Sequence, residues 1–183
     1  HLAAVIRLFE QTSTVDVCIS NQRAVFIDGT VKDDWLPGLT ELTRGRPALF
    51  DRFVDVSVDD LCRSGGFGHL NMLVIRKTLL EKMGGAFWTK VNYEEDRDLF
   101  WRAVDAARLI AYTKHVVSQH HVPDAQKQTN VSTGLIQQER WLVGMLVSQH
   151  IASTVAHPKI IRLCIRYQGD ALRRLALLKD GQR

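Results

Sequence analysis

Hydrophobic positions recur along this chain at two spacings, and the switches between them predict alternating helices and strands. Leu2, Val5, Ile6 and Phe9 repeat at helical spacing, which predicts a helix from Leu2 to Gln11. Thr14 to Ile19 is rich in β-branched residues and reads as a buried strand; Ala24 to Ile27 reads as a second, closed by an Asp28-Gly29 turn. From Trp35 to Phe53 the pattern is broken by Pro37, Gly38, Gly45 and Pro47, leaving room for a short helix and a connector. Leu70 to Ile75 reads as a strand and Leu79 to Met83 as a short helix. A Gly84-Gly85 turn then leads to a helix whose Leu99, Phe100, Ala103, Val104 and Ala107 form a buried stripe. Leu109 to Tyr112 and His115 to His121 read as one strand with an irregularity. Leu135 to Val155 is helical in pattern. Pro158 opens a last helix in which Ile160, Ile161, Leu163, Cys164 and Ile165 alternate with Arg162, Arg166, Arg173, Arg174 and Lys179. The fold class is therefore α/β, followed by C-terminal helices.

Composition narrows the class without naming a function. The 183 residues suit one domain or one lobe of a larger one, and 45% hydrophobic with 24% charged residues is ordinary for a soluble globular protein. No apolar run approaches the ~20 residues of a membrane span, and no signal peptide is visible, so a cytoplasmic protein is expected. Cys18, Cys62 and Cys164 are few, widely spaced and set among apolar residues; they read as reduced core residues, not a zinc set. A net charge of +4 permits anionic partners. A basic amphipathic last helix either lies peripherally on an anionic membrane or packs on its own domain or a partner subunit. Nucleic acid is disfavoured, since no zinc finger, RNP motif or recognition-helix signature is present.

The candidate chemistry centres on Asn92-Tyr93-Glu94-Glu95-Asp96-Arg97-Asp98. Asn92 is a good N-cap, with Glu95 placed to reach back to it as a capping box. Acids in a first helical turn are favoured by the macrodipole, which accounts for Glu94 and Asp98. Asp96 is set apart: it lies three residues before Leu99 and four before Phe100, in register with the apolar stripe. An acid on the inward edge of a helix start must face a partner, a metal or a substrate. The pairs Asp33-Asp34 and Asp59-Asp60 follow no apolar strand directly and read as solvated loop and helix-start acids. Arg44, Arg46 and Arg52 are candidates to meet an anion, with exposed arginines as the simpler reading. Arg63-Ser64-Gly65-Gly66-Phe67-Gly68-His69 is glycine-dense but is neither a Walker loop nor a dinucleotide fingerprint. His120 and His121 end a strand, where open α/β sheets place their sites, yet neighbours on a strand point to opposite faces. The polar stretch after Pro123 reads as a mobile loop able to close over a ligand.

The order of these features resembles the second half of a family-2-type inverting glycosyltransferase with the A-type nucleotide-sugar fold, which implies a partial Rossmann-like fold with a mixed sheet. The resemblance rests on Gly68 to Arg76, the turn Gly84-Gly85-Ala86-Phe87-Trp88, Glu95-Asp96-Arg97-Asp98-Leu99 with Arg102, and His121-Val122-Pro123. It covers roughly residues 1 to 132, leaving 133–183 as a helical extension. The resemblance implies transfer of a sugar from a nucleotide-diphosphate sugar to a saccharide or lipid-linked acceptor hydroxyl, with Asp96 as general base. Glu95 caps the helix or touches the acceptor. Gly66, Gly68, His69, Trp88 and Arg102 form the acceptor side, and His121 helps hold a divalent metal, Mg or Mn. The family's nucleotide-binding half is expected to precede residue 1, so the piece alone is expected to be inactive and prone to self-association through a bare sheet edge. The competing expectation is a non-catalytic module that binds a protein partner or an anionic surface through the basic C-terminal helix.

Overall fold

A computed structural model describes residues 1–65, 69–91, 93–121 and 136–180, with side chains in the last helix as far as residue 177. Helix α1 (Leu2–Gln11) leads into an 11-residue strand β1 (Val15–Val25). The predicted pair of strands is thus one. Ser20, Asn21 and Gln22, whose polarity reads as a break, are buried within it. Register irregularities from Ser20 to Gln22 let the ladder continue past them. Phe26 to Thr30 form the expected turn, with Gly29 at φ 81° and the Asp28 carboxylate accepting from Thr30 N, before the two-residue strand β2 (Val31–Lys32).

Helix α2 (Pro37–Leu42), strand β3 (Val54–Val56) and helix α3 (Val58–Ser64) follow. Ser57 caps α3 in a reciprocal capping box with Asp60. Helix-start chemistry at Asp59-Asp60 holds, but Asp60 is not solvated. Its side chain is 3% exposed, with Arg46 at 2.9 Å and Arg63 at 2.8 Å. A 3-10 turn (Leu70–Met72), strand β4 (Leu73–Ile75) and helix α4 (Lys77–Lys82) precede the Gly84-Gly85 turn, where both glycines have positive φ. Helix α5 (Glu95–Ala106), strand β5 (Leu109–His121), helix α6 (Gln137–Thr154) and helix α7 (Pro158–Asp180) complete the described chain.

The sheet is mixed. Strands β1 and β5 run parallel at its centre; β3 pairs antiparallel with β5, while β2 and β4 share the other edge of β1, both antiparallel. Side chains alternate along β1 after an irregularity between Val15 and Val17, and split the core. Val15 and Cys18 join Val5 and Leu8 of α1 on one face, whereas Val17 and Ile19 join α2, α3, α5, α6 and α7 on the other. The C-terminal helices are part of that second core, contributing Val147, Ile151, Ile160 and Leu163. Asp16 locks the entry to the two parallel strands by accepting from the backbone N–H and guanidinium of Arg108. All three cysteines are free thiols, two of them buried. Among the described residues no helix is long and apolar enough to cross a membrane.

Candidate functional site

The C-terminal ends of β1 and β5 lie side by side, Ala24 opposite His120, and three aromatic rings meet there. His69 is 4.6 Å from Trp35 and 5.4 Å from His120, centroid to centroid, and Trp35 is 5.7 Å from His120. All three pairs are edge-to-face, a favoured arrangement for rings in contact. Each ring has a local reason to be there. Buried Asn21 accepts from Trp35 N at 3.0 Å and donates to Asp34 at 2.9 Å and Lys114 O at 3.3 Å, which fixes the loop that carries Trp35. His69 sits at the start of the 3-10 turn, where its carbonyl accepts from Met72 N. His120 comes from strand alternation.

Asp96 stands beside this cluster. It lies in the first turn of α5, half-buried, with Oδ1 accepting from Arg97 N at 2.8 Å. Oδ2 makes no hydrogen bond with a described residue. Its charge reaches His69. Burial holds that imidazole below its ordinary pKa, Asp96 pulls it back up, and His120 adds to the depression. These influences bias His69 toward the neutral imidazole, within electrostatic reach of Asp96. His69 lies beyond the ends of the parallel strands, where α/β sheets hold their ligands.

The remaining site candidates divide. Glu95 is the first residue of α5 and half-buried; the cap is Glu94 in a left-handed conformation, φ 61°, in place of Asn92, which lies outside the described residues. Glu94 turns inward against Gly144 and pairs with Arg97 at 2.5 Å; burial raises its pKa, opposed by Arg97 and reinforced by Asp96. Trp88 and Arg102 belong to a separate network. Arg102 donates to Asp98 and to Ala86 O at 2.8 Å, tying the Gly84-Gly85 turn to α5. Trp88 stacks on His150, which reaches Asp98 Oδ1 at 2.8 Å. Arg102 is thereby held in structural bonds, and the Trp88 face under His150 is covered. His121 is exposed and meets Gln119 at 2.9 Å, so the histidine that joins the cluster is its neighbour His120. Gly66, Gly68 and the loop after Pro123 lie outside the described residues.

Sequence reasoning did not single out Trp35 for this site or choose His120. The available signals were an aromatic directly after Asp33-Asp34 and a two-residue period counted along β5. Among the described residues no group of three or more His, Cys, Asp or Glu side chains is placed to hold a metal ion. Compared with known proteins, the chain matches no family model, no curated protein and no solved structure.

Proposed function

We propose that this chain is the acceptor-side part of an inverting glycosyltransferase with the A-type nucleotide-sugar fold, and that Asp96 is its general base. One observation carries the reading: a half-buried carboxylate, one oxygen of which bonds no described residue, within electrostatic reach of a histidine at the outlet of two parallel strands. A base for sugar transfer needs a carboxylate within reach of an acceptor hydroxyl and partly screened from water. The proton of that hydroxyl passes to Asp96 as its oxygen attacks the anomeric carbon. The bond from that carbon to the nucleoside diphosphate breaks, and its electron pair leaves with the diphosphate. His69 orients the acceptor through a hydrogen bond, and Trp35 in place of Trp88 supplies the aromatic edge for a sugar ring. The described residues bring two imidazoles to this place, His69 and His120, and no group of three or more metal-ligating side chains.

The test is Asp96→Asn in a chain that also carries a nucleotide-sugar-binding unit. Transfer should fall by roughly 10²–10⁴-fold with the circular dichroism spectrum unchanged. Turnover within a few-fold of the parent would remove Asp96 from the role.

A second reading is favoured by α7, where Ile165, Leu172 and Leu177 are exposed along with Arg162, Arg166 and Arg173. This surface suits binding to an anionic membrane without catalysis. Sedimentation with phosphatidylserine vesicles, lost in Arg162→Glu/Arg166→Glu, together with no sugar transfer, is the outcome that would favour it over the first.

A further inference from the structure

Away from the histidine cluster, between α2 and the middle of β5, lies a cleft of about 300 Å³. Four of its lining side chains are cationic, Arg44, Arg46, Arg52 and Lys114, and none is acidic. Hydroxyls of Thr40, Thr43 and Tyr112 supply further polar groups. A second opening of about 450 Å³ shares Arg52 and Lys114 and continues along β5 to Val116. The two cations thus stand between adjoining spaces.

The charges around the cleft do not cancel. Arg44 pairs with Glu41 at 2.5 Å. Arg46 and Arg63 share the single carboxylate of Asp60. Arg52 and Lys114 make no ion pair with a described residue, and both are exposed. Asp51 and Asp55 are exposed neighbours in the chain but do not line the cleft. Arg46 is also pre-set: both terminal nitrogens contact Asp60 at 2.9 and 3.0 Å, and one donates to Asp55 O. A surplus of more than one positive charge, displayed by a guanidinium and an ammonium beside hydroxyls, fits a dianion better than a single carboxylate. Buried Tyr112 donates or accepts at Thr40 Oγ1 at 2.7 Å; burial pushes its pKa up to about 12, so its hydroxyl keeps its proton. The volume exceeds what a bare phosphate fills and reaches the lower range of small-molecule sites.

We propose that this cleft binds a phosphate monoester, with Arg52 and Lys114 as the principal charge partners and the attached carbon skeleton in the adjoining opening. The phosphate belongs either to a soluble sugar phosphate or to a lipid headgroup. The proposal does not rest on sugar transfer, since it uses no residue of the Asp96 site.

Titration calorimetry of the 183-residue chain with glucose 6-phosphate, inorganic phosphate and glucose tests the soluble source. Co-sedimentation with phosphatidic-acid and phosphatidylcholine vesicles tests the lipid source. Arg52→Gln/Lys114→Gln removes two exposed charges, and Lys77→Gln/Lys90→Gln, two exposed cations that do not line the cleft, controls for net charge. Saturable binding of glucose 6-phosphate but not glucose, weakened at least about tenfold by the first pair and not by the second, is expected. Binding to phosphatidic-acid vesicles alone, with the same variant pattern, supports the cleft and assigns the phosphate to lipid. No saturable binding of any phosphate, or equal loss in both double variants, overturns the proposal.

Discussion

The indole of Trp88 and the imidazole of His150 lie flat on one another, centroids 4.0 Å apart and planes 2° from parallel. The same imidazole reaches Asp98, whose side chain is fully buried, and Asp98 in turn holds Arg102. Four residues from three segments thereby fasten the Gly84-Gly85 turn, α5 and α6 together. His150→Ala removes both the stacking and a hydrogen bond to a buried carboxylate, and should cost about 2–4 kcal/mol. His150→Phe keeps a ring under Trp88 and loses only the bond, so its cost should be smaller. Urea unfolding followed by tryptophan fluorescence distinguishes the two; equal losses would mean that the stacking contributes nothing.

His69 reports on Asp96 without any assay of activity. Burial is the largest influence on its pKa and lowers it; the Asp96 charge raises it, and His120 lowers it. In Asp96→Asn the raising influence is gone, so His69 should titrate at a still lower pH. In His120→Gln a lowering influence is gone, so its pKa should rise. Imidazole proton chemical shifts followed against pH give both results. A His69 pKa unmoved by Asp96→Asn would separate the carboxylate from the cluster.

The contrast between these two sites explains what the sequence made legible. Helix α1 was readable to its ends because Leu2, Val5, Ile6 and Phe9 display one period over one uninterrupted element. The bulged strand β5 was readable for the same reason, its apolar runs flanking the irregularity. Strand β1 was not, because Ser20, Asn21 and Gln22 look like a turn until Asp34, Trp35 and Lys114 are brought to them. Asp96 stood out through its register with Leu99 and Phe100. Trp35 did not, His69 entered only through the resemblance, and His120 stayed level with His121, because the three are far apart in the chain and meet only through parallel pairing of β1 with β5. Trp88 and Arg102 drew attention as motif residues, but their partners Ala86, Asp98 and His150 come from packing α6 on α5, which no local pattern encodes.

Acid sensitivity should localise in part to Asp60. Burial alone would raise its pKa, but hydrogen bonds from Arg46, Ser57 and Arg63 outweigh that and hold the carboxyl well below its ordinary value of 3.8. The unfolded chain therefore binds this proton more readily than the folded one. The stabilisation is fully present above the unfolded pKa and is lost as pH falls through 3.8 toward the lower folded value. Asp60→Asn should be less stable at pH 7 by on the order of 2–3 kcal/mol, the scale of hydrogen bonds to charged groups. Its stability should also fall less steeply between about pH 5 and 3. Thermal melts of both proteins across that range check the sign: parallel curves would mean that Asp60 carries no part of the acid response.

The start of α5, and with it the aim of Asp96, depends on Glu94 and Arg97. Arg97 is 10% exposed in its side chain and pairs with Glu94, donates to Gly144 O at 2.8 Å and Ser148 Oγ at 3.1 Å, and lies over the Tyr167 ring. Glu94 sits in the left-handed backbone region, strained for a residue with a Cβ, and its buried carboxylate has that guanidinium as its counter-charge. Arg97→Met leaves the charge of Glu94 buried and unpaired, and should cost about 3–5 kcal/mol. It should also raise the Glu94 pKa further, since the lowering influence of Arg97 is lost while burial stays. The double variant Arg97→Met/Glu94→Gln removes the orphaned charge and should recover part of that loss. A double-mutant cycle by chemical denaturation measures the coupling; strictly additive effects would show that the pair does not hold the helix start. Because Asp96 follows Glu94 by two residues, the single variant should also move the His69 titration while the double variant restores it toward the parent. That linkage ties the packing of α5 on α6 and α7 to the electrostatics at the strand ends.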